Sequence, residues 1–336
     1  DDYKNMHQNV NGEFVSHYNI HNLYGFNMTR AAYEGLEKID SNKRFLLFSR
    51  ASIIGAHRFG GIWTGDSASW WEHIEMTVHM LPNLNMCGFL FIGSDTGGFS
   101  YNTTNDLLIR WNQLSLFTPL YRNHSALGTR NQEGYAFDEE TTSIIRNIIK
   151  FRYSLIPYLY SEFMKAVKGN DMYFKPLTFE YEDELSKGIE DQLILGESLM
   201  IAPVYKQNAK GRYVYLPEDM LLCKVDKKGQ LSFEPCTKGH NFFEYHLEKI
   251  ILYVRKNKML PLISNNNKEL NIIAFIENKV EYYLYDDDGV TKDYGNYRDY
   301  SMKIIIEKVK DNYEVHIEKG NKCVVKQLNV KVIDVR

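Results

Sequence analysis

The sequence predicts an α/β fold in its first half and antiparallel β-sandwiches in its second half. Within the first 130 residues, four short apolar runs each end in a polar or charged side chain. Longer segments with apolar residues at a helical spacing separate most of these runs, which is the pattern of parallel strands joined by helices. After about residue 175, short segments alternate apolar and polar residues between turn signals, which is typical of antiparallel sandwiches.

The four apolar runs predict four buried parallel strands. They are FLLFS ending at Arg50, GGIWTG ending at Asp66, GFLFIGS ending at Asp95 and LFTPLYRN ending at His124. In parallel barrels the active site lies at the C-terminal ends of the strands, so these four side chains should converge on one pocket. Because a closed barrel of this class needs eight strands, the pattern predicts only the second half of a (β/α)8 barrel.

The segments around these strands carry their own signals. Residues 1 to about 20 are expected to form an extended loop, and residues 21–40 have apolar side chains at a roughly helical period. Ser67 or Ser69 is expected to cap the helix that follows the second strand. A long helix should follow the fourth strand, and Pro157 within it predicts either a kink or the start of a new helix.

These strand and helix patterns predict three domains. Residues 1–175 are predicted to form the C-terminal part of the barrel, residues 176–257 a proximal C-terminal β-sandwich and residues 258–336 a distal C-terminal β-sandwich. Half a barrel would have open sheet edges and an uncovered core, which is a liability in water. The first half of the barrel is therefore expected on a missing N-terminal segment of the same protein.

Composition narrows the class of partner. The 336 residues include 44% hydrophobic and 25% charged residues with a formal net charge of −3, the balance of a globular protein without a basic field for nucleic acid. The sequence contains no run of eighteen apolar residues, so no membrane-spanning helix is predicted. The polar start of the chain has no signal-peptide core, so we expect a cytoplasmic protein. The composition leaves open whether it forms a homo-oligomer.

No metal or other cofactor is predicted. The four cysteines form no CxxC pair and no Cys/His ligand spacing. His124 could bind a sugar hydroxyl, act as a base or bind a metal, but no HxH or HxxxH pattern accompanies it. The run Asp286–Gly289 lacks the ligand spacing of a calcium loop, and an acidic turn between strands is the better interpretation.

A pair of carboxylates carries the chemical hypothesis. Asp66 and Asp95 end successive strands, and Trp63 and Phe99 lie close to them in sequence. Paired carboxylates lined by aromatic rings fit glycoside hydrolysis, where one carboxyl is the acid and another the nucleophile or base. The structural alternative is that either aspartate caps the following helix or forms an ion pair with Arg50.

At these residues the sequence resembles glycoside hydrolase family 31, the α-glucosidase and α-xylosidase family. The matching blocks, in the order of the family, are IHNLYG, SRAS, WTGDS, SDTGGF, RNH, RYSLIPYLY and DQLILGESLMIAPV, and LYDDDGVTKDY resembles a turn of its distal domain. The resemblance covers nearly the whole chain. It implies a (β/α)8 catalytic domain followed by proximal and distal β-sandwich domains.

The resemblance also implies roles for single residues. Asp66 in WTGD matches the general acid/base of the family. The positions that match residues around the −1 sugar are Arg50, Trp63, Asp95, Phe99 and His124. Of these, Arg50 and His124 match residues that contact hydroxyls, and the two aromatic residues match walls of the subsite.

Two features depart from the family pattern. Ser67 stands where Asn is common after the acid/base, which puts one supporting contact in doubt. The family nucleophile is an Asp in a WxDMNE-type block upstream of IHNLYG, and residues 1–20 contain nothing like it. The nucleophile is therefore expected on the missing N-terminal segment.

The resulting hypothesis is a retaining, exo-acting α-glucosidase that removes terminal α-linked glucose from oligosaccharides by double displacement and needs no cofactor. Within the family, α-xylosidase, sulfoquinovosidase and transglucosidase activities remain open. An alternative of a different class is a sugar-binding protein without turnover.

Overall fold

The computed structural model describes residues 4–264, 270–295, 297–310, 312–323 and 328–333. The helices are α1 (His17–Ile39), α2 (Trp71–Met86), α3 (Asn105–Ser115), α4 (Glu139–Gly169) and α5 (Glu184–Lys187). The strands of the first part are β1 (His7–Val10), β2 (Glu13–Ser16), β3 (Ile62–Trp63) and β4 (Ile92–Gly93). The later strands are β5 (Phe174–Pro176), β6 (Leu193–Leu195), β7 (Leu199–Ile201), β8 (Gly211–Leu216), β9 (Met220–Val225), β10 (Leu231–Cys236), β11 (Gly239–Glu244), β12 (Ile250–Arg255), β13 (Lys258–Ile263), β14 (Leu270–Phe275), β15 (Lys279–Tyr285), β16 (Ser301–Val309), β17 (Asn312–Lys319) and β18 (Leu328–Ile333).

The chain starts with a hairpin, so the prediction of an extended loop over residues 1 to about 20 was wrong. β1 and β2 pair antiparallel, with Val10 opposite Glu13. Between them Asn11 and Gly12 both have positive φ, 54° and 95°. Such a two-residue Asn-Gly turn matches the twist of the strands that it joins, and the Asn-Gly pair in the sequence was the signal for it.

Four neighbouring parallel segments form the partial barrel. β3 and β4 pair in parallel, with Ile62 opposite Ile92. Phe48 forms a parallel bridge with Gly61 on one side of this pair. On the other side the amide of Leu120 donates to the carbonyl of Ile92 at 3.0 Å. The four predicted strands therefore lie side by side in chain order, although regular pairing is limited to short stretches.

Helix α2 begins later than the sequence predicted. Its N-cap is Trp70, and no side chain caps its first turn. Neither Ser67 nor Ser69 caps the helix, so that prediction was wrong. Their backbones instead hydrogen-bond to the loop that follows β4: the Ser67 carbonyl accepts from the amide of Phe99 at 2.6 Å, and the Ser69 amide donates to the carbonyl of Ser100 at 2.8 Å.

Helix α4 joins the barrel part to the β domains. Asp138 caps it by accepting a hydrogen bond from the amide of Thr141 at 2.7 Å, and Asn170 ends it in the left-handed conformation. The helix continues through Pro157, so no new helix starts there. Its buried side packs into the core shared with the β-sheets. Packing on this long apolar face outweighs the lost hydrogen bond of one proline.

The β region contains several sheets. One has the order β10-β9-β12-β7-β6-β5, and β11 pairs separately with β8. The last strands form two three-stranded sheets, β13-β14-β18 and β15-β16-β17. Pairing is antiparallel except between β14 and β18. This layout has the strand-rich character that the alternating pattern predicted, and the proposed domain boundaries at residues 175 and 257 remain predictions.

Helix α1 packs differently from the other long helices. Of its 23 residues only Thr29 is buried. Its large apolar side chains that are exposed in this chain include Tyr18, Leu23, Tyr24, Met28 and Ile39. An apolar surface of this kind is normally covered by another part of a protein or by a partner. None of the helices in the described ranges has the length and apolar character of a membrane span.

Candidate active site

Asp66 and Arg50 meet at the ends of the first two strand segments. Asp66 follows β3 by three residues, after a turn in which Gly65 has a φ of +88°. The Arg50 guanidinium donates to Oδ2 of Asp66 at 2.8 Å, and 61% and 37% of the two side chains are exposed. The ion pair that the sequence left as an alternative for Asp66 is therefore present, whereas a helix cap is not. An exposed ion pair contributes only about 0–1 kcal/mol, so a ligand can readily displace Arg50.

Asp95 has the opposite environment. It is fully buried at the end of β4, where its backbone forms a parallel bridge with Arg122. The Arg122 guanidinium donates to Oδ1 through Nη2 and, at 3.1 Å, through Nε. Burial raises the pKa of Asp95 above its ordinary value, while the hydrogen bond from Arg122 opposes that change and the nearby Asp66 adds to it.

One oxygen of Asp95 has no donor. Its Oδ2 atom is buried, and no described residue donates a hydrogen bond to it. Leaving a buried acceptor unsatisfied costs about 1–3 kcal/mol. A hydroxyl of a bound ligand would supply the missing donor, which makes Asp95 suited to binding a polyhydroxylated molecule.

Aromatic rings flank the carboxylates. The guanidinium carbon of Arg122 lies 5.0 Å from the centroid of the Trp63 ring. The rings of Phe99 and His124 have centroids 5.2 Å apart and are tilted by 33°. Asp95 interacts electrostatically with both Asp66 and His124. The structure therefore brings the strand ends at Arg50, Asp66, Asp95 and His124 into one region, as expected from parallel strands, while the chemical role of each residue remains a prediction.

A glycine-rich loop after β4 is held by a buried amide. Gly97 and Gly98 have φ values of +95° and +91°, conformations that favour glycine. The Nε2 group of Gln132 donates to the carbonyl of Thr96 at 3.0 Å, to that of Gly98 at 3.0 Å and to that of His124 at 3.4 Å. Gln132 therefore fixes the loop that carries Phe99 relative to the strand end that carries His124.

Sequence reasoning missed two of these positioning residues. Arg122 lies two residues before His124 in the RNH block, and its place at a strand end was a usable signal. Nothing in the sequence marks Gln132, because its contacts are to backbone groups that are distant along the chain.

The residues that the structure describes contain no group of three or more His, Cys, Asp or Glu side chains that could hold a metal ion. Asp287, in the acidic turn, instead forms an ion pair with Arg44 at 2.6 Å and accepts hydrogen bonds from Tyr160 and Tyr285. The turn thereby links the start of the barrel part to the last β region.

Comparison with known proteins identifies the family. Residues 1–162 match the glycosyl hydrolases family 31 TIM-barrel domain, and residues 170–260 match the glycosyl hydrolase family 31 C-terminal domain. The chain belongs to glycoside hydrolase family 31. The predicted fold class, the second half of a (β/α)8 barrel followed by two β-sandwich domains, is confirmed by these matches and by the solved structures described next.

Individual relatives include several α-glucosidases. The chain is 34% identical to alpha-glucosidase 2 of Bacillus thermoamyloliquefaciens over 331 residues, which are 94% of this chain and 40% of that protein. It is 35% identical to neutral alpha-glucosidase AB of Dictyostelium discoideum over 250 residues, 73% of this chain and 26% of the relative. A structure of a Flavobacterium johnsoniae family 31 dextranase complexed with glucose superposes with a TM-score of 0.85 at 25% identity, covering 98% of this chain and 43% of the dextranase. The chain thus spans about two fifths, or less, of these relatives.

Proposed function

We propose that this chain is part of a retaining, exo-acting α-glucosidase, which hydrolyses terminal α-linked glucose from oligosaccharides. One observation carries the proposal: Asp66, partly exposed, and Asp95, buried with an oxygen to which no described residue donates, lie at neighbouring strand ends. Their neighbours Arg122 and His124 contact the rings of Trp63 and Phe99. The α-glucosidases among the relatives of the chain favour glucose as the sugar.

The remaining half of the barrel completes the site in this proposal. Relatives of the chain are more than twice its length, and the exposed apolar side chains of α1 leave a surface for further protein to cover. We assign the other four strands and the nucleophilic aspartate to an N-terminal segment of the same protein. In a retaining enzyme this carboxylate would lie about 5–5.5 Å from that of Asp66.

Asp66 acts twice in the proposed reaction. As the nucleophile attacks the anomeric carbon, protonated Asp66 gives its proton to the departing glycosidic oxygen; the resulting carboxylate then takes a proton from the water that releases glucose. The Arg50 guanidinium that donates to Asp66 is suited to the carboxylate form. We infer that, when substrate binds, the Arg50 guanidinium donates its hydrogen bonds to sugar hydroxyls and no longer to Asp66. Asp66 can then carry a proton.

Buried Asp95 and exposed His124 are proposed to position the sugar. Each would hold hydroxyl groups of the glucosyl unit, with the free Oδ2 atom of Asp95 accepting one of them. Because Arg122 fixes the other oxygen, the free acceptor has a defined direction. Trp63 and Phe99 would form the walls against which the sugar ring packs.

The test compares leaving groups. Asp66→Asn should lower kcat/KM for maltose by about 10²–10⁴-fold, because the leaving sugar needs a proton. For a nitrophenyl α-glucoside, whose leaving group needs little protonation, kcat/KM should fall much less. Glu72→Gln, which removes an exposed carboxyl from the first turn of α2, is the matched control and should change neither value.

Three outcomes would contradict the proposal. Equal losses on both substrates would mean that Asp66 does not protonate the leaving group. Faster hydrolysis of an aryl α-xyloside than of the aryl α-glucoside would assign a different sugar, and binding without turnover of either would leave a sugar-binding protein.

A further inference from the structure

Two aromatic side chains form an exposed stacked pair near the proposed acid/base. The rings of Trp70 and Tyr101 have centroids 5.3 Å apart and are inclined by only 19°. Trp70 is 49% exposed and Tyr101 is 60% exposed, so the pair is not part of the hydrophobic core. We call Trp70 and Tyr101 the aromatic platform.

Backbone hydrogen bonds connect the platform to the site. The segment 67–70 lies beside the segment 99–101, with the Ser100 amide donating to the Ser67 carbonyl at 3.0 Å and the Ser69 amide donating to the Ser100 carbonyl at 2.8 Å. Asp66 immediately precedes one segment, and the other begins with Phe99. We call the two hydrogen-bonded segments 67–70 and 99–101 the ladder. The exposed aromatic platform lies at one end of the ladder, and the proposed acid/base and one wall of the sugar site lie at the other end.

Tyr101 adopts a conformation that few side chains adopt. Its φ is +69°, in the left-handed region, where a residue other than glycine is strained. Strained residues persist where the surrounding structure imposes them and cluster at ligand sites. In this conformation the Tyr101 ring stacks on Trp70. The Trp70 ring also contacts His73 edge-on at 5.7 Å, and His73 Nδ1 accepts from the amide of Ala68 at 2.8 Å.

The direction of the ladder indicates which part of a substrate would meet it. A general acid lies beside the oxygen of the leaving group, so a surface that extends outward from Asp66 faces the leaving group and not the glucose to be released. Trp70 follows Asp66 by four residues, so their Cα atoms are at most about 14 Å apart. This distance is in the range of sugar units beyond the cleaved bond.

We propose that the aromatic platform binds the leaving-group side of longer α-glucan oligosaccharides, by stacking on a glucosyl unit beyond the cleaved bond. Flat aromatic faces with a polar edge suit the apolar face of a pyranose ring. This inference rests on the proposed function and adds a substrate class to it: oligosaccharides of three or more units are preferred over disaccharides.

Tyr101→Gly is the most informative substitution. Glycine adopts positive φ without strain, so the variant should fold at least as well as the parent while losing one ring of the platform. In the protein with its complete barrel, kcat/KM is measured for a nitrophenyl α-glucoside and for the di-, tri- and tetrasaccharides of the linkage that it cleaves best. Tyr153→Ala, which removes an exposed aromatic ring from α4, is the control.

The parent should prefer the tri- and tetrasaccharide over the disaccharide. Tyr101→Gly should reduce that preference by about two- to tenfold, and Tyr101→Gly combined with Trp70→Ser should abolish it, while the nitrophenyl glucoside is hydrolysed as before. An unchanged preference in the double variant would overturn the inference, including the case in which other protein covers the platform.

A binding measurement separates this inference from the proposed function. In an Asp66→Ala background, which slows turnover of oligosaccharides, calorimetric titration with the tetrasaccharide should give weaker binding when Tyr101→Gly and Trp70→Ser are added. Weaker binding supports the platform even if the parent hydrolyses nothing, and equal binding refutes it even if the parent is an active glucosidase.

Discussion

A methyl group at Gly98 should displace the backbone that supports the proposed site. It lies in the loop after β4 with a φ of +91°. A Cβ atom at this position would be 2.5 Å from the amide nitrogen and 2.6 Å from the Cα atom of Ser69, and 2.7 Å from the carbonyl carbon of Ala68. These are backbone atoms of the ladder next to Asp66, so no side-chain rotation can relieve the clash.

The structure gives the magnitude of this effect. Ordinary contacts of a Cβ atom begin at 3.4 Å, so the two segments would have to separate by about 1 Å. Overpacking of this kind costs about 1–3 kcal/mol, and a non-glycine residue in the left-handed region costs a further 1–2 kcal/mol, roughly. Gly98→Ala should therefore destabilise the protein by about 2–5 kcal/mol. A 1 Å displacement of a substrate-positioning segment can also lower kcat/KM by about 10²-fold.

Gly128→Ala is the matched control. Gly128 has a similar φ of +87°, but apart from its chain neighbours no described residue has an atom within 4 Å of the position of its Cβ atom. This variant should lose only the strain contribution, about 1–2 kcal/mol. Urea denaturation and hydrolysis of a nitrophenyl α-glucoside are measured for both variants. Equal stability and activity of the two variants would refute the close approach between Gly98 and the ladder.

Three further predictions concern buried charges and metals. Lys165→Met removes the cation 2.8 Å from buried Glu162 and should cost about 3–5 kcal/mol in urea denaturation. Burial raises the pKa of Glu162, so its contribution to stability is present at low pH and is lost as the pH rises through the raised pKa. The stability lost in Lys165→Met should therefore be smaller at pH 5 than at pH 8. A loss independent of pH would contradict this account. Arg122→Leu should cost a similar amount, and Asp95→Asn in the same chain should restore part of it, whereas simply additive losses would show that the two groups are not coupled. Hydrolysis should survive EDTA, because the described residues bring no three His, Cys, Asp or Glu side chains together around His124; loss of activity restored by one metal would be the contrary result.

Strand ends were the most predictable part of the site. A buried parallel strand is marked locally by a short apolar run, and the residue that ends the run is placed at the same edge as its neighbours. Arg50, Asp66, Asp95 and His124 could therefore be identified without knowing which strands pair. Two of the expectations about local structure, the extended loop and the serine cap, failed for separate reasons.

The hairpin was overlooked because the two strands joined by the Asn11–Gly12 turn have only four residues each. Strands this short show no clear periodic pattern in the sequence. The serine cap failed because the backbones at Ser67 and Ser69 pair with the loop after β4, a partner about 30 residues away in the chain. At Pro157 the buried face of α4 continues on both sides, so of the two predicted outcomes a new helix is excluded and a kink remains a prediction.

The hydrogen-bond partners of Arg122 and Gln132 could not be derived from the sequence, although the place of Arg122 at a strand end was a usable signal. The guanidinium of Arg122 reaches across to the neighbouring strand end at Asp95, and the amide of Gln132 bonds to carbonyl groups on two separate segments. Contacts of this kind depend on how the elements pack and leave no periodic or compositional trace. They nevertheless decide which oxygen of Asp95 is free and where Phe99 stands.

Azide rescue of Asp66→Ala tests the central claim most directly. In this variant the glucosyl-enzyme should accumulate, because the water that would release it has lost its base. Azide needs no base, and attack on the β-linked intermediate from the opposite face should restore turnover of a nitrophenyl α-glucoside and give α-glucosyl azide. A β-glucosyl azide would show that Asp66 is the nucleophile, and undiminished turnover without azide would show that its role is structural.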